Sequence, residues 1–390
     1  MKKMLLTVYD SDDMHDEEEH DSYNAEIQMA GTGIVRIDWG DESAIETHNL
    51  SAFNSEEELM KAVFKGINGY TRLDNYFHWF RDKADHTITI TGENILLLDC
   101  GYMNLSNLDV SKNTALKVLY CNENELTSLD VSKNIALVEL ACNYGKITKL
   151  DVSGCITLNK LFCYYNKLTE LDVSENIALS ELGCSTNQLT KLDVSGCISL
   201  SELHCEGNQL TNLDVRKNTA LNELNCCGNQ LANLDISENT ALNKLDCYDN
   251  KLTNLDISNN TLLKELYCEK NQLTSLDINK NTILVSLNCS KNQLSSLDIS
   301  KNIELNNILC SNNLLSGDIL NILFETLPIG EEKEGFNYIK SESWRIPAFK
   351  DNLICIKGNP GTNSCKKFTA KSRGWTFFYL SYNKDIILDR

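Results

Sequence analysis

The sequence predicts a mainly β protein built on a solenoid of ten to eleven 21-residue coils with strands on both sides. A small β-sandwich precedes the array and an α/β C-terminal cap closes it. Two periodicities and one asymmetry of composition predict this. Eleven of the sixteen cysteines, Cys100, Cys121, Cys142, Cys163, Cys184, Cys205, Cys226, Cys247, Cys268, Cys289 and Cys310, follow one another at a constant step of 21 with no insertion. Ten aspartates from Asp109 to Asp298 keep the same step, and each follows a leucine. The three prolines (Pro328, Pro347, Pro360) and four tryptophans (Trp39, Trp79, Trp344, Trp375) all fall outside the array, so the flanks are built differently. A fixed period of this length is the signature of stacked units.

The unit reads L-x-x-L-x-C-x-x-N-x-L-x-x-L-D-[VI]-S-x-N-x-x. In L-x-C and in L-D-[VI] alternate residues are apolar, which is strand periodicity, so each coil carries two short strands with their leucines inward. One coil cannot bury its own apolar face. Stacking coils at the inter-strand spacing of ~4.8 Å encloses a shared leucine core. The corner after the first strand holds asparagine at Asn124, Asn166, Asn187, Asn208, Asn229, Asn250, Asn271, Asn292 and Asn313, with Met103 and Gly145 as the exceptions. A side-chain amide there can satisfy backbone groups freed by the turn and bond from coil to coil.

The unit resembles the leucine-rich repeat of the short bacterial subclass, over about residues 95–313. The resemblance implies a leucine-rich repeat solenoid whose second side is strand or extended chain rather than helix. Before it, AEIQMAGTG, IVRIDWGDES and HTITITG alternate in strand fashion between turn residues and suggest the sandwich, with a short helix inserted over 54–64. Ile37-Asp38-Trp39-Gly40-Asp41, Tyr76-Phe77-His78 and HTITITG resemble the PKD-like, immunoglobulin-type domains of bacterial surface proteins, with Glu42 where that pattern has glycine. After the array, Ile319 to Leu327 has helical spacing and stops at Pro328, and GNPGTNSC (358–365) leads through a short helix to GWTFFYL. This resembles the C-terminal cap of Bacteroidetes-type leucine-rich repeat proteins, with 330–350 as a surface excursion. A cap is required because the last coil otherwise presents an open strand edge and a bare core. The expected domains are 1–94, sandwich with an acidic N-terminal loop, 95–313, solenoid, and 314–390, cap.

Thirty-six basic against 55 acidic side chains leave a formal charge of −19, which repels nucleic acid. No uncharged apolar run approaches the ~18 to 20 residues of a membrane span. Chemistry is scarce. Equivalent Cβ atoms in stacked coils lie about 4.8 Å apart, too far for a disulfide, and a linear column inside an apolar core offers zinc neither tetrahedral shape nor charge compensation. The cysteines therefore read as small hydrophobes. Cys155 and Cys197 replace the asparagine of S-x-N, and whether Cys355 pairs with Cys365 is open. The aspartate column lines up like charges that need backbone N–H donors, cations or salt to offset them, and a hydrogen-bonded ladder is favoured over calcium, which requires several convergent oxygens. The run Asp10 to Asp21 reads as a solvated loop. His204 adjoins Cys205, so the two point to opposite faces, and no nucleophile, metalloprotease or phosphate-loop motif is present. The sequence indicates no metal, no cofactor and no enzyme.

Binding remains. The column before each cysteine, expected on the exposed face, holds Tyr120, Ala141, Phe162, Gly183, His204, Asn225, Asp246 and Tyr267. Tyr102, Tyr144, Tyr164, Tyr165 and Tyr248 follow their cysteines, and Glu139, Glu181, Glu202, Glu223 and Glu265 are expected beside them on the same face. Tyr120, Tyr144, Phe162, Tyr164, Tyr165, His204, Tyr248 and Tyr267 are the candidate ligand-binding residues, because exposed aromatics supply contact area at low entropic cost. The plainer explanation is that tyrosine favours strands. The partner expected is a protein or a glycan. The resemblance implies adhesion or ligand binding at the bacterial cell surface or in secretion. Against export, the apolar stretch in MKKMLLTVYDSDD is too short for a secretory signal and runs into acids. Unpaired thiols likewise suit a reducing compartment, which makes an intracellular, cytoplasmic scaffold the alternative.

Overall fold

The computed structural model describes residues 2–8, 24–50, 73–80, 84–329, 339–340, 345–346, 352–380 and 386–389. The acidic run 10–21, the helix expected over 54–64 and most of the excursion 330–350 lie outside the described residues. The chain divides into two compact units, Met1–Leu200 and Ser201–Arg390.

In the first unit, β1 (Lys2–Val8), β2 (Asn24–Asp38), β3 (Glu46–Leu50), β4 (Asp74–Trp79) and β5 (His86–Asp99) are all antiparallel neighbours. β5 lies between β1 and β2, and β2 carries β4 along its first half and β3 along its second. Where the sequence suggests a sandwich, the described strands form one antiparallel sheet, irregular where the β2–β5 register slips at Ala30/Gly31 and Thr32/Val35. Gly31 permits that irregularity, since a Cβ there would lie 2.1 Å from the Asn94 carbonyl oxygen. Trp39 is fully buried, donates from Nε1 to Glu46 Oε1 at 2.9 Å and stacks on His78 at 4.8 Å between ring centroids. His78 in turn meets Asp41 Oδ2 at 2.7 Å. Burial alone would raise the Asp41 carboxyl, but hydrogen bonds from Ser43 and His78 outweigh it and hold it at about 2.

β5 also begins the solenoid. Its last residues, Leu97–Asp99, pair in parallel with Val118–Tyr120, and the ladder continues through Glu139–Ala141, Lys160–Phe162 and Glu181–Gly183. β2 runs antiparallel along the other side of Leu97–Asp99 and so covers the ladder's free edge. β1 does the same for the second side, pairing antiparallel with β6 (Leu105–Asp109). On that second side Ser128–Asp130 pairs in parallel with Lys149–Asp151, and Asp172 bridges Asp193.

In the second unit, Glu202–His204, Glu223–Asn225, Lys244–Asp246, Glu265–Tyr267, Ser286–Asn288 and Asn307–Leu309 form a parallel in-register ladder. Asn352–Cys355, from beyond the array, adds one more rung, and Trp375–Leu380 pairs in parallel with it. The L-D-[VI] side of this unit is extended chain without assigned strands, joined from coil to coil by bonds such as Gln230 N–H to Leu210 O and Gln272 N–H to Leu252 O, both 2.8 Å. After the array, α1 (Gly317–Thr326) is capped by Ser316, whose hydroxyl accepts from the Ile319 N–H, and buries Leu320, Leu323 and Phe324. Phe324 meets Phe377 edge-on, and Trp375 Nε1 donates to Pro328 O at 2.8 Å. α2 (Lys367–Lys371) leads into the Trp375 strand. Among the described residues no helix is long and apolar enough to cross a membrane.

Two asparagine columns tie successive coils together. In the first, Asn124 Nδ2 donates to Cys100 O and Cys121 O while its Oδ1 accepts from the Met103 and Leu105 N–H groups. The same pattern recurs at Asn166, Asn250 and Asn313, as the corner reading expects. Asn359, in the GNPGT segment, continues it by donating to Cys310 O and Ile356 O. The second column is the S-x-N asparagine, fully buried, as where Asn134 Nδ2 donates to Val110 O and Asn113 O. Where the column holds Cys155, its thiol points at the equivalent carbonyls, Val131 O at 3.2 Å and Asn134 O at 3.7 Å. The Oδ1 atoms of Asn134 and Asn176 are buried without a hydrogen-bond partner, an acceptor that cysteine does not carry.

Two stability changes follow. Leu203 is fully buried in the second unit, and Leu203→Asp should cost several kcal/mol and unfold neighbouring coils, read as loss of the cooperative thermal transition. Asn260→Ala removes the side-chain donor that Ile236 O and Asn239 O share, leaving each with its one backbone N–H, and should cost about 1–3 kcal/mol in urea unfolding.

Candidate functional site

The residue before each cysteine stands in a row across the ladder. In the first unit the row runs Gln28, Asp99, Tyr120, Ala141, Phe162, Gly183, each directly opposite the next. Gly183 leaves room for the neighbouring rings, since a Cβ there would sit 3.1 Å from the Phe162 ring and 3.4 Å from the Tyr164 ring. Around this row lies a groove of about 660 Å³ lined by Glu26, Gln28, Asp99, Tyr102, Tyr120, Glu139, Lys160, Phe162 and Tyr164. Its size is that of a ligand cleft.

Tyr120 and Tyr267, expected on the exposed face, are buried instead, with 8% and 5% of their surface accessible. The reason is crowding in the row. Tyr120 packs with Ala30, Leu96, Leu97, Val118 and Ala141, and its hydroxyl donates to Glu139 Oε1 at 2.8 Å. Tyr267 donates to Glu265 Oε2 at 3.1 Å. Glu139, also expected to be exposed, is buried, which pushes its carboxyl up against the opposing pull of the Tyr120 hydroxyl and Lys160. Lys160 pairs with Glu181 at 2.6 Å across the rungs.

Tyr144, Tyr164 and Tyr165 do come together. Tyr144 stacks on Tyr165 at 4.7 Å and 13°, and Tyr164 stands edge-on to both, at 5.4 Å and 6.2 Å. Tyr102, Tyr144 and Tyr165 adopt left-handed backbone, with φ of 61°, 55° and 55°, at the corner that Gly207 and Gly228 occupy elsewhere. That conformation disfavours a side chain with a Cβ by about 1 kcal/mol. It projects these rings outward, so Tyr102 is 73% exposed and Tyr144 and Tyr165 are half-exposed.

Sequence reasoning missed Glu26, Gln28 and Asp99. Asp99 precedes Cys100 and occupies the same column one coil earlier, so its signal was present. Glu26 and Gln28 reach the groove only because β2 pairs with the first rung, which no repeat pattern encodes.

In the second unit, His204 and Tyr248 are half-buried. Lys270 lies 5.6 Å from the Tyr248 ring centre and pairs with Asp249. Asp246 and Glu269 are buried on this side. Burial raises Asp246 to about 6 and, with the Asp246 charge nearby, Glu269 to about 8. The aspartates of the L-D column are held the other way. Each Oδ1 accepts the backbone N–H two residues on, as in Asp130 to Ser132 and Asp256 to Ser258, both 2.9 Å, and Asp172, Asp256 and Asp298 lie below the usual range for that reason. These turns supply the donors that the charge column demands. Among the described residues no group of three or more His, Cys, Asp or Glu side chains is placed to hold a metal ion. All sixteen cysteines are thiols rather than disulfides, Cys355 and Cys365 included, and burial pushes Cys142 and Cys289 up to about 12.

The chain resembles the functional domain of InlJ from Listeria monocytogenes, which includes a cysteine ladder, at 40% identity and a TM-score of 0.56, over 57% of this chain and 50% of that one. The fold is a leucine-rich repeat solenoid. An internalin, InlF, of the same organism matches at a TM-score of 0.52 and 19% identity, over 73% of this chain and 87% of that one, and shares the fold. The chain thus spans about half the length of the InlJ structure. No protein-family model and no curated protein matches it.

The opposed carboxyl shifts give a pH prediction. The lowered aspartates contribute stability that is present above about 3.8 and lost as pH falls below it. Asp246 and Glu269 contribute stability that is present below 3.8 and 4.5 and lost as pH rises through about 6 and about 8. The thermal midpoint should therefore peak at about pH 4, and Glu269→Gln should flatten its decline toward pH 8.

Proposed function

We propose that the chain is a non-catalytic protein-binding module whose binding face is the aromatic groove and tyrosine corner of Met1–Leu200. One observation carries the reading: Tyr144, Tyr164 and Tyr165 form a packed, outward-facing aromatic cluster beside a groove floored by Phe162. Rigid aromatic rings flanking a concave patch are what protein interfaces use as anchors. Within Ser201–Arg390, His204, Tyr248 and Tyr267 are proposed as a separate, weaker candidate face of that unit, and the burial of Tyr267 leaves it a supporting rather than a contacting role.

The setting proposed is the bacterial cell envelope, as adhesion or ligand capture. The likeness to the InlJ functional domain and the resemblance of segment 1–94 to PKD-like surface domains support it. In this reading 1–94 is the PKD-like domain, 95–313 the solenoid and 314–390 a cap of the Bacteroidetes type. An intracellular scaffold is the second reading, favoured by sixteen unbridged thiols.

A binding screen against surface proteins and glycans, repeated with Phe162, Tyr164 and Tyr165 changed to Ala, tests the site. Binding to a protein should weaken by roughly tenfold or more per aromatic anchor removed. Unchanged binding by the triple variant would place the interface elsewhere, and selective binding to glycans would replace the protein reading.

A further inference from the structure

The groove of the first unit is acidic at the end where β2 meets the first rung. Gln28 lies directly opposite Asp99, so Glu26, two residues earlier on the same face, is the diagonal neighbour of Asp99. Asp99 Oδ1 accepts the Gly101 N–H at 3.1 Å, and Glu26 Oε1 accepts from Asn75 Nδ2 at 2.8 Å. Among the described residues no lysine or arginine makes an ion pair with either carboxylate, and Lys160, the one ammonium lining the groove, is committed to Glu181. Burial raises the Asp99 carboxyl and the nearby Glu26 charge raises it further, as happens where a negative pocket lacks its counter-charge.

Tyr102 lines the groove in the same coil as Asp99, with Tyr120 one rung on, and Phe162 and Tyr164 line it farther along the row. We propose that the groove receives an arginine side chain of a partner protein, its guanidinium bonded to Glu26 and Asp99 and its plane laid against the Tyr102 ring, while the partner's neighbouring residues run along the groove to Phe162 and Tyr164. Arginine fits better than lysine, since a planar fork satisfies two carboxylates and stacks on aromatics, whereas an ammonium is a hydrated point charge. The net charge of −19 adds long-range attraction for a basic partner and disfavours acidic glycans and acidic peptides. The inference rests on the proposed protein-binding role and names the chemistry of the partner at that site.

The test uses the full chain and two short capped peptides that differ only in a central arginine or its neutral isostere citrulline, flanked by tyrosine and serine. Calorimetric titration should show the arginine peptide binding roughly tenfold tighter or more, with affinity falling as salt is added. In the Glu26→Gln, Asp99→Asn double variant that preference should vanish while the thermal transition is retained. Equal binding of the two peptides, a preference that survives the double variant, or no binding of either would overturn the inference. If binding without charge preference is still lost in the Phe162→Ala, Tyr164→Ala variant, the groove remains the binding face and only the cation is wrong. If the arginine peptide binds equally well to both variants, the groove falls with it.

Discussion

The structure depends on how the chain turns its corners. A coil of 21 residues must change direction several times, and each change leaves backbone N–H and C=O groups facing an apolar core where water cannot serve them. Asparagine resolves this with one side chain, whose amide donates backward to the preceding coil and to its own, while its oxygen accepts from that preceding coil, as Asn250 does toward Cys226, Cys247 and Leu231. Because each amide spans two coils, it fixes their register as well as their turns. A slip of one residue would orphan the whole column and turn every leucine outward.

Register then determines chemistry. Identical positions stack into columns, so a residue type that is harmless once becomes a line of like groups. The aspartate line is tolerable because every carboxylate takes a backbone N–H two residues ahead, an arrangement that both turns the chain and spreads the charge. The cysteine line is tolerable because it is small, apolar and held as thiol by burial. Asp246 takes the Tyr248 N–H in the same way, at 3.1 Å, but burial outweighs that bond, and its raised carboxyl and that of Glu269 mark the place where column logic gives way to individual surroundings.

The array was legible because its period is unbroken, and the corner asparagines were legible because buried backbone must be bonded. Exposure within a column was not. Alternation assigns Tyr120 to a face, but whether that face is open depends on neighbours one coil away and on Ala30 from β2, more than 80 positions earlier in sequence. Asn359 was equally hidden, since the segment 330–350 separates it from the column it continues. The cysteines at 155 and 197 looked like losses of asparagine, yet the Cys155 thiol reaches the same carbonyls without the stranded amide oxygen.

Edge protection and the candidate site prove to be one device. A solenoid must cover its first rung, and here β2 does so by pairing along Leu97–Asp99. That pairing brings Glu26 and Gln28 against the row that continues through Tyr120 to Phe162, and it converts an open sheet face into a walled groove. The small residues Ala141 and Gly183 keep the floor low on either side of Phe162, while left-handed corners lift Tyr102, Tyr144 and Tyr165 at the rim. Neither the repeat nor the N-terminal sheet alone contains the groove; it arises where a capping strand of different composition meets the first coils. Apolar residues at Glu26 or Asp99 would leave the backbone pairing that covers the edge in place and erase the charge that distinguishes the groove.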